Sequence, residues 1–435
     1  MSPRLEMRGR EGNALFKKRN SAPLFALFSM SAIFFLVVFS LISCAKQPSF
    51  KIPELPNLTH TQTILGEYAK EFRIDEYAAE NPVISTETEK SMPFGFVQGD
   101  ISFAPDAPVS PYKLLTISDS ERYLLVPKNA PVPEPLPPDI VLIRSPVKNA
   151  YLCASSAMAL WSAIDSLSSI RFSAIQKKDW YIEEAVRAME NDAIQYAGKY
   201  NAPDFELLLS EKCSLAIEST MIYHAPQIKE KLESLGIPVF VDKSSYEENP
   251  LGRMEWIKVY GALLGKESEA ESFFAAQIEK IGKRNENVSD KNQHNKTSPK
   301  VAFFYITPNG LVVIRGSGDY IVKMIEMAGG EYAFPKTRKS TSPSVTISME
   351  EFYAQCANAD ILIYNSSIDN SVRTLSDLLE KSPLFAEFEA VKNGSVWTTG
   401  KYLYQATDRI GDMILDMNEI ITGKDGKLAF LEKVE

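Results

Sequence analysis

The stretches NAPDFELLLSEKCSLAIES (201–219) and IKEKLESLGIPVFVD (228–242) decide the fold that we predict for this chain. A Pro-Asp pair favours the start of a helix in the first stretch, and LAIES (215–219) then has the composition of a buried strand. The second stretch predicts a helix that Gly236 ends, followed by the strand IPVFVD (237–242). This alternation predicts an α/β lobe with a largely parallel sheet.

The same alternation returns in the last third of the chain. The apolar runs there predict four strands and one helix: VAFFYI (301–306), LVVIRG (311–316), ILIYN (361–365), VWTT (396–399) and the helix YIVKMIEMAGG (320–330). Between the two regions lies one amphipathic segment, about 250–285, which we predict to be a single long helix. The expected fold is therefore two α/β lobes with largely parallel sheets, joined by one long interlobe helix.

The remaining segments complete the expected domain organisation. KLLTISDSERYLLVP (113–127) predicts a hairpin. IVLIR (140–144) predicts the first buried strand of the alternating strands and helices that follow. The expected order is a signal peptide over 1–43, a tether over 44–64, an N-terminal lobe over 65–249 with an inserted loop at about 80–110, the interlobe helix over 250–285, a polar loop over 286–299 and a C-terminal lobe over 300–435.

The N-terminus combines a basic leader with the uncharged run SAPLFALFSMSAIFFLVVFSLIS (21–43), which is the arrangement of an export signal. The run ends in LISC (41–44), which resembles the bacterial lipobox. That resemblance implies cleavage before Cys44, a lipid on its sulfur and an extracytoplasmic protein anchored to the membrane. An uncleaved signal anchor that happens to end in a cysteine is the alternative, since the run is also long enough to span a bilayer.

Charge and residue counts exclude several functions. The chain carries 47 Lys and Arg against 56 Asp and Glu, for a net charge of −9, which argues against nucleic-acid binding. Its three histidines, His60, His224 and His294, are too scattered for a site for a bare metal ion. It lacks a G-x-x-x-x-G-K-[ST] phosphate loop and a G-x-S-x-G elbow, so we expect no enzyme and no cofactor. We predict that Cys153, Cys213 and Cys356 are buried thiols.

The helix–strand stretches of the first lobe resemble substrate-binding proteins of the iron-siderophore, haem and cobalamin ABC importers. GALLGKESEAESFFAAQIEKI (261–281) is similar to their interlobe helix, and YIVKMIEMAGGEYAF (320–334) and TISMEEFYAQCANADILIYN (346–365) are similar to phrases of their C-terminal lobe. The resemblance covers roughly residues 140–425. It implies a monomer that captures a small-molecule metal chelate, most often a ferric siderophore, in the cleft between its lobes.

The resemblance also implies partners and alternatives. One carboxylate on each lobe, Glu206 and Glu350, would meet arginines of a membrane permease that works with an ATPase; alternatively, both are simple helix N-terminal acids. Haem or cobalamin binding on the same scaffold is the alternative for the ligand. A surface sensor or enzyme that keeps the fold is the alternative from another class.

Candidate ligand contacts follow from the rule that ligands of α/β lobes gather at the carboxyl ends of strands. Aromatic and cationic side chains suit a planar or chelated ligand that bears carboxylates. Met221 and His224 could also ligate iron as a thioether and an imidazole, although a surface histidine is the simpler interpretation. The candidates are Lys199, Tyr200, Met221, Tyr223, His224, Arg315, Tyr402 and Tyr404.

Overall fold

The computed structural model describes residues 51–80, 111–288, 298–334, 343–424 and 426–435. The chain divides into two compact units, Met1–Pro53 and Glu54–Glu435, and the elements described here belong to the second. The predicted signal peptide, Cys44, His294 and almost all of the predicted inserted loop lie outside the described residues. Among the described helices, none is both long enough and apolar enough to cross a membrane.

The described strands are β1 (Leu58–Leu65), β2 (Phe72–Ala79), β3 (Tyr112–Ile117), β4 (Glu121–Pro127), β5 (Ile140–Ser145), β6 (Ala150–Leu152), β7 (Ile170–Ser173), β8 (Gln195–Tyr196), β9 (Gly198–Lys199), β10 (Ala202–Pro203), β11 (Leu215–Ser219), β12 (Val239–Asp242), β13 (Lys300–Ile306), β14 (Val312–Arg315), β15 (Glu331–Tyr332), β16 (Ser344–Ile347), β17 (Ile361–Tyr364), β18 (Val396–Thr399) and β19 (Leu431–Lys433). The described α-helices are α1 (Ser155–Ala163), α2 (Glu183–Glu190), α3 (Phe205–Ser210), α4 (Pro226–Ser234), α5 (Pro250–Glu255), α6 (Ile257–Leu264), α7 (Glu267–Val288), α8 (Tyr320–Met327), α9 (Met349–Cys356), α10 (Leu375–Lys381), α11 (Glu389–Lys392) and α12 (Ile410–Thr422).

The first sheet has five strands in the order β1-β2-β3-β4-β5. Its neighbours are antiparallel except β4 and β5, which are parallel. The predicted hairpin is β3 and β4, and its turn carries Ser118 and Asp119 with φ of 48° and 57°, as a tight hairpin turn requires. The strand predicted at 140–144 forms as β5, but it joins this sheet and not the sheet of the α/β lobe.

The second sheet has the order β12-β11-β6-β7-β8, and all of its pairs are parallel. Apolar residues of β11 and β12 are almost completely buried, as expected where helices cover both faces of a parallel sheet. Helix α3 begins at the predicted place, because the Asp204 side chain accepts a hydrogen bond from the Leu207 N–H at 3.0 Å. This region is the α/β lobe that the opening stretches predict.

The third sheet forms the C-terminal lobe in the order β16-β14-β13-β17-β18-β19, with β15 beside β13. Only its centre is parallel, since β14, β16 and β19 run antiparallel to their neighbours. An aromatic cluster fills the space between this sheet and its helices, with ring centroids of Phe304 and Phe352 at 4.6 Å and of Phe385 and Phe388 at 4.9 Å. The lobe is therefore mixed α/β around a parallel centre.

The segment that joins the lobes runs as three consecutive helices, α5, α6 and α7, where the sequence predicted one. Helix α6 ends at Gly265, which has a left-handed backbone with φ of 66°. Glycine adopts this conformation at little cost because it has no Cβ. Two buried carboxylates, Glu247 and Glu255, fasten this segment to the first sheet. They accept the backbone N–H groups of residues 67–71 at 2.8–3.0 Å.

Candidate functional site

Polar side chains meet where three neighbouring parallel strands end. Cys153 follows β6, Ser219 ends β11 and Asp242 ends β12. Because the carboxyl ends of parallel strands share one edge of the sheet, these residues lie together. They form one wall of a cavity of about 240 Å³ between the lobes. The other lining residues are Ser155, Ser156, Ser244, Ser245, Arg253, Tyr320, Leu403, Tyr404, Thr407, Ile410 and Met413.

Arg253 supplies the positive charge of this cavity. It comes from α5, and its guanidinium lies 3.7 Å from the ring centroid of Tyr320, the first residue of α8. Its nitrogens donate to the backbone carbonyls of Glu247 at 2.9 Å and Ser245 at 2.6 Å. Burial lowers the pKa of Arg253, which nevertheless stays charged because free guanidinium titrates far above neutral pH. The cavity therefore combines a fixed cation with several hydroxyl groups.

Asp242 is buried and held by hydrogen bonds at the end of β12. Its carboxylate accepts from the Ser244 N–H at 2.8 Å, from the Ser244 hydroxyl at 2.6 Å and from the Tyr260 hydroxyl. Burial raises the pKa of Asp242, and these hydrogen bonds oppose the rise. The side chain is thus fixed in place, and it shapes the polar floor of the cavity.

Tyr404 enters the same cavity from the C-terminal lobe. Its hydroxyl oxygen accepts hydrogen bonds from the Arg315 guanidinium and from the Asn365 amide, the latter at 2.9 Å. Burial raises the pKa of Tyr404, while the Arg315 charge and both hydrogen bonds favour the phenolate and oppose that rise. Two donors on one phenol oxygen hold the side chain in a fixed position, and the balance of these effects leaves the pKa of Tyr404 above its ordinary value.

A second cavity of about 360 Å³ adjoins the first, and Cys153 lines both. Two of the predicted contacts, Lys199 and Tyr200, lie in its wall together with Lys178 and Tyr196. The second cavity is formed by the N-terminal lobe alone. Its tyrosines and lysines give it the aromatic and cationic character that the sequence predicted for the cleft.

Contacts also cross directly from lobe to lobe. The Gln405 amide donates to the Asp179 carbonyl at 2.8 Å and accepts from the Tyr181 N–H at 2.9 Å. Lys323 of α8 forms an ion pair with Glu248 at 3.1 Å. The lobes are therefore in contact around the cavity.

Other predicted contacts lie outside the two cavities. Met221, Tyr223 and His224 occupy an exposed 3-10 helix (Thr220–His224) just after β11, and none of them lines either cavity. The Tyr402 hydroxyl donates to the Ala429 carbonyl at 3.1 Å, so it packs against the C-terminal segment. Arg315 acts on the cavity through Tyr404. Ligand contact by these residues stays a prediction.

Sequence reasoning missed several lining residues. Ser219 and Asp242 end predicted strands, so the strand-end rule that selected Met221 and Tyr223 could have selected them too. Arg253 gave no signal, because it lies inside a segment predicted to be an interlobe helix.

The two predicted docking carboxylates are on the surface. Glu206 is exposed in the first turn of α3, and Glu350 is exposed in the first turn of α9. Hydrogen bonds to its own backbone N–H and to Ser348 lower the pKa of Glu350, so it is ionised at neutral pH. A role in docking stays a prediction for both.

Glu218 is a buried acid beneath the cavity wall. It lies on β11 next to Cys153, the residue that follows β6, and the Cys153 thiol is its hydrogen-bonding neighbour. Burial raises the pKa of Glu218 to about 7, opposed by the Cys153 side chain. The sequence pattern did not predict Glu218 as part of the site.

Comparisons with known proteins agree with this architecture. An uncharacterized lipoprotein of Methanocaldococcus jannaschii is 27% identical over 322 residues, which span 71% of this chain and 74% of that protein. A periplasmic heme binding protein from Pseudomonas aeruginosa gives a TM-score of 0.52 at 16% identity, over 66% of this chain and 98% of its own. A periplasmic binding protein from Veillonella parvula gives 0.51 at 17% identity, over 64% and 92%. The family model for periplasmic binding proteins matches residues 171–403, more than half of the chain, and the chain therefore belongs to the periplasmic binding protein family.

Proposed function

We propose that this protein is the lipid-anchored substrate-binding component of an ABC importer, and that it captures a ferric siderophore between its lobes. The observation that carries the proposal is the cavity lined from both lobes, with Ser219 and Asp242 from the N-terminal lobe and Tyr404 from the C-terminal lobe. A ligand there would contact both lobes at once, and it would therefore favour their closed arrangement. The protein binds its ligand and performs no bond chemistry.

Arg253, the cationic residue that lines the first cavity, supports an oxygen-rich ligand that carries little net negative charge. Arg253 can pair with ligand carboxylates or with oxygens of a chelate, and the serine hydroxyls can donate hydrogen bonds. Tyrosines of both cavities offer apolar faces to a ligand of larger size. Ferric siderophores present such oxygen atoms around a metal that is already chelated, so the protein itself need not hold the ion.

Haem binding is the second candidate, and Tyr404 favours it. Tyrosine oxygen is a known ligand of haem iron, and the hydrogen bonds from Arg315 and Asn365 fix the position of the Tyr404 oxygen in the cavity. Cobalamin is a further candidate on the same scaffold.

Titration of the purified protein tests these candidates. Quenching of tryptophan fluorescence would be measured with ferric siderophores, haemin and cobalamins. We expect Tyr404→Phe to weaken binding of the true ligand by roughly tenfold or more, since one lost hydrogen bond or ligand at a buried site costs about 1–3 kcal/mol. Tyr353→Phe is the matched control, because Tyr353 packs against Phe388 and lines neither cavity. No response to any of the three classes contradicts the proposed ligand class.

The membrane anchor is proposed from the LISC motif and from the lipoprotein name of the Methanocaldococcus jannaschii relative. Lipid on Cys44 would hold the binding lobes beside the permease through a polar, proline-containing tether. Metabolic labelling with a radioactive fatty acid should mark the wild-type protein and should fail for Cys44→Ala. Equal labelling of both would exclude Cys44 as the site.

A further inference from the structure

The first sheet reaches the ligand end of the N-terminal lobe. This sheet lies before residue 171, where the family match begins. Its β3–β4 hairpin places Glu121, the first residue of β4, against the 3-10 helix Thr220–His224. The Glu121 carboxylate accepts a hydrogen bond from the Tyr223 hydroxyl at 2.5 Å. It also forms an ion pair with Lys243 at 3.3 Å.

The neighbouring residue of the hairpin fixes the same region. The Tyr123 hydroxyl accepts a hydrogen bond from the Val241 N–H at 3.2 Å, and its ring packs on Phe240 with centroids 4.8 Å apart. Val241 is the residue before Asp242, which lines the cavity between the lobes. The hairpin is therefore attached to the ends of both β11 and β12, the strands whose last residues form the cavity wall.

Glu121 and Lys243 balance each other's charge beside the 220–224 loop. The Lys243 side chain is only 10% exposed and lies 5.8 Å from the centroid of the Tyr223 ring. Lys243 itself lines neither cavity, but it stands in the chain between Asp242 and Ser244, which both line the first one. The Glu121–Lys243 pair carries little net charge. Without that carboxylate, the ammonium group next to Asp242 would attract an anionic ligand.

We propose that Glu121 is a positioning residue that holds the 220–224 loop through Tyr223 and, by neutralising Lys243, makes the cleft select against strongly anionic chelates. The inference rests on the proposed function, because it concerns the selectivity of the same cleft. It assigns a role to the first sheet, whose hairpin brings the Glu121 carboxylate to Tyr223 and Lys243.

Two variants separate the two effects of Glu121. Glu121→Gln keeps an oxygen that can accept from Tyr223 but removes the negative charge beside Lys243. Glu121→Ala removes both. Asp139→Asn is the matched control, since Asp139 forms an ion pair with Arg122 on the same sheet and does not touch the loop.

The first measurement compares dissociation constants for haemin, which carries two carboxylates, and ferrichrome, a ferric chelate without net charge. We expect Glu121→Gln to raise the affinity for haemin relative to ferrichrome by about threefold to tenfold, the size expected for one partly exposed charge. Asp139→Asn should leave the ratio unchanged. An unchanged ratio in Glu121→Gln overturns the selectivity role.

The second measurement needs no ligand. Hydrogen–deuterium exchange should become roughly tenfold faster at residues 220–224 in Glu121→Ala, and it should stay at the wild-type rate in Asp139→Asn and close to it in Glu121→Gln. Wild-type exchange in Glu121→Ala overturns the positioning role. If the wild-type protein binds neither probe while exchange changes as expected, the positioning role is supported, and both the proposed ligand class and the selectivity role are overturned.

Discussion

Gln405 and Tyr181 join the two lobes directly: the Gln405 side-chain oxygen accepts a hydrogen bond from the Tyr181 N–H at 2.9 Å. The nitrogen of the same amide donates to the Asp179 carbonyl at 2.8 Å, so one side chain satisfies two backbone groups across the cleft. Since Asp179 lines the second cavity, this contact lies at the wall of that cavity. It holds the lobes together without a ligand.

We predict that Gln405→Ala shifts the ligand-free protein towards an open arrangement. Two hydrogen bonds across the cleft are lost, and together they contribute about 1–3 kcal/mol to closure. Small-angle X-ray scattering should show a larger radius of gyration for the variant than for the wild type. Gln355→Ala serves as the control, because Gln355 is exposed and bonds only within α9. Identical scattering from all three proteins would show that Gln405 does not hold the lobes closed.

A second prediction concerns the attachment of the first sheet at Glu255. This buried carboxylate accepts the N–H groups of residues 67–69 at 2.8–2.9 Å and pairs with Lys258 at 3.2 Å. Glu255→Gln leaves one oxygen for three donors, and we expect it to lower the free energy of unfolding by about 2–4 kcal/mol. Glu271→Gln removes the other partner of Lys258 at an exposed position and should cost less than about 1 kcal/mol. Urea unfolding measures both, and equal costs would contradict the role given to Glu255.

A third prediction concerns pH. The pKa of Glu218 is about 7 in the folded protein and 4.5 in the unfolded chain, so the folded state binds the proton more tightly. The contribution of Glu218 to the free energy of unfolding should therefore be greatest below about pH 4.5. It should fall by ~3 kcal/mol as the pH rises to about 7. Glu218→Gln should remove this dependence and make the protein more stable than the wild type at pH 8.

Thermal unfolding from pH 5 to pH 8 tests the Glu218 prediction, with the exposed acid variant Glu230→Gln as the control. The advantage of Glu218→Gln over the wild type should grow with pH and level off above about pH 7. A wild-type protein that is as stable as the variant at pH 8 would mean that the pKa of Glu218 is not raised in the folded protein.

A fourth prediction concerns the permease. Glu206→Gln and Glu350→Gln should each reduce uptake of an iron-loaded chelate several-fold while leaving its dissociation constant unchanged, since neither side chain lines either cavity. Glu230→Gln and Glu331→Gln are exposed controls, one in each lobe. Uptake that stays at the wild-type rate in the double variant Glu206→Gln/Glu350→Gln would sink the docking role.

The sequence was informative wherever local pattern and tertiary structure agree. The apolar runs of β11, β12, β13 and β17 are short, continuous and flanked by helix signals, so both lobes could be predicted from them. The partner strand of IVLIR (140–144) could not be predicted, because a short apolar run does not specify which sheet it joins. Its place beside β4 depends on packing over many residues.

The site was predictable in kind more than in detail. Tyr404, Lys199 and Tyr200 were predicted as contacts and line the cavities, because they follow strands or precede helices at the ligand end. Arg253 was not predicted, since its position depends on how α5 crosses between the lobes. The 220–224 loop carries residue types that suit ligand binding. The directions of its side chains depend on neighbours such as Glu121, which lies far away in the sequence.

Native mass spectrometry of the purified protein, released from cells grown with limited iron, tests the central claim most directly. We predict a 1:1 complex whose excess mass matches a ferric chelate, and loss of that species in Tyr404→Phe but not in Tyr353→Phe. A protein that carries no ligand, and that takes up none when ferric siderophores, haemin and cobalamins are added, would contradict the proposed function.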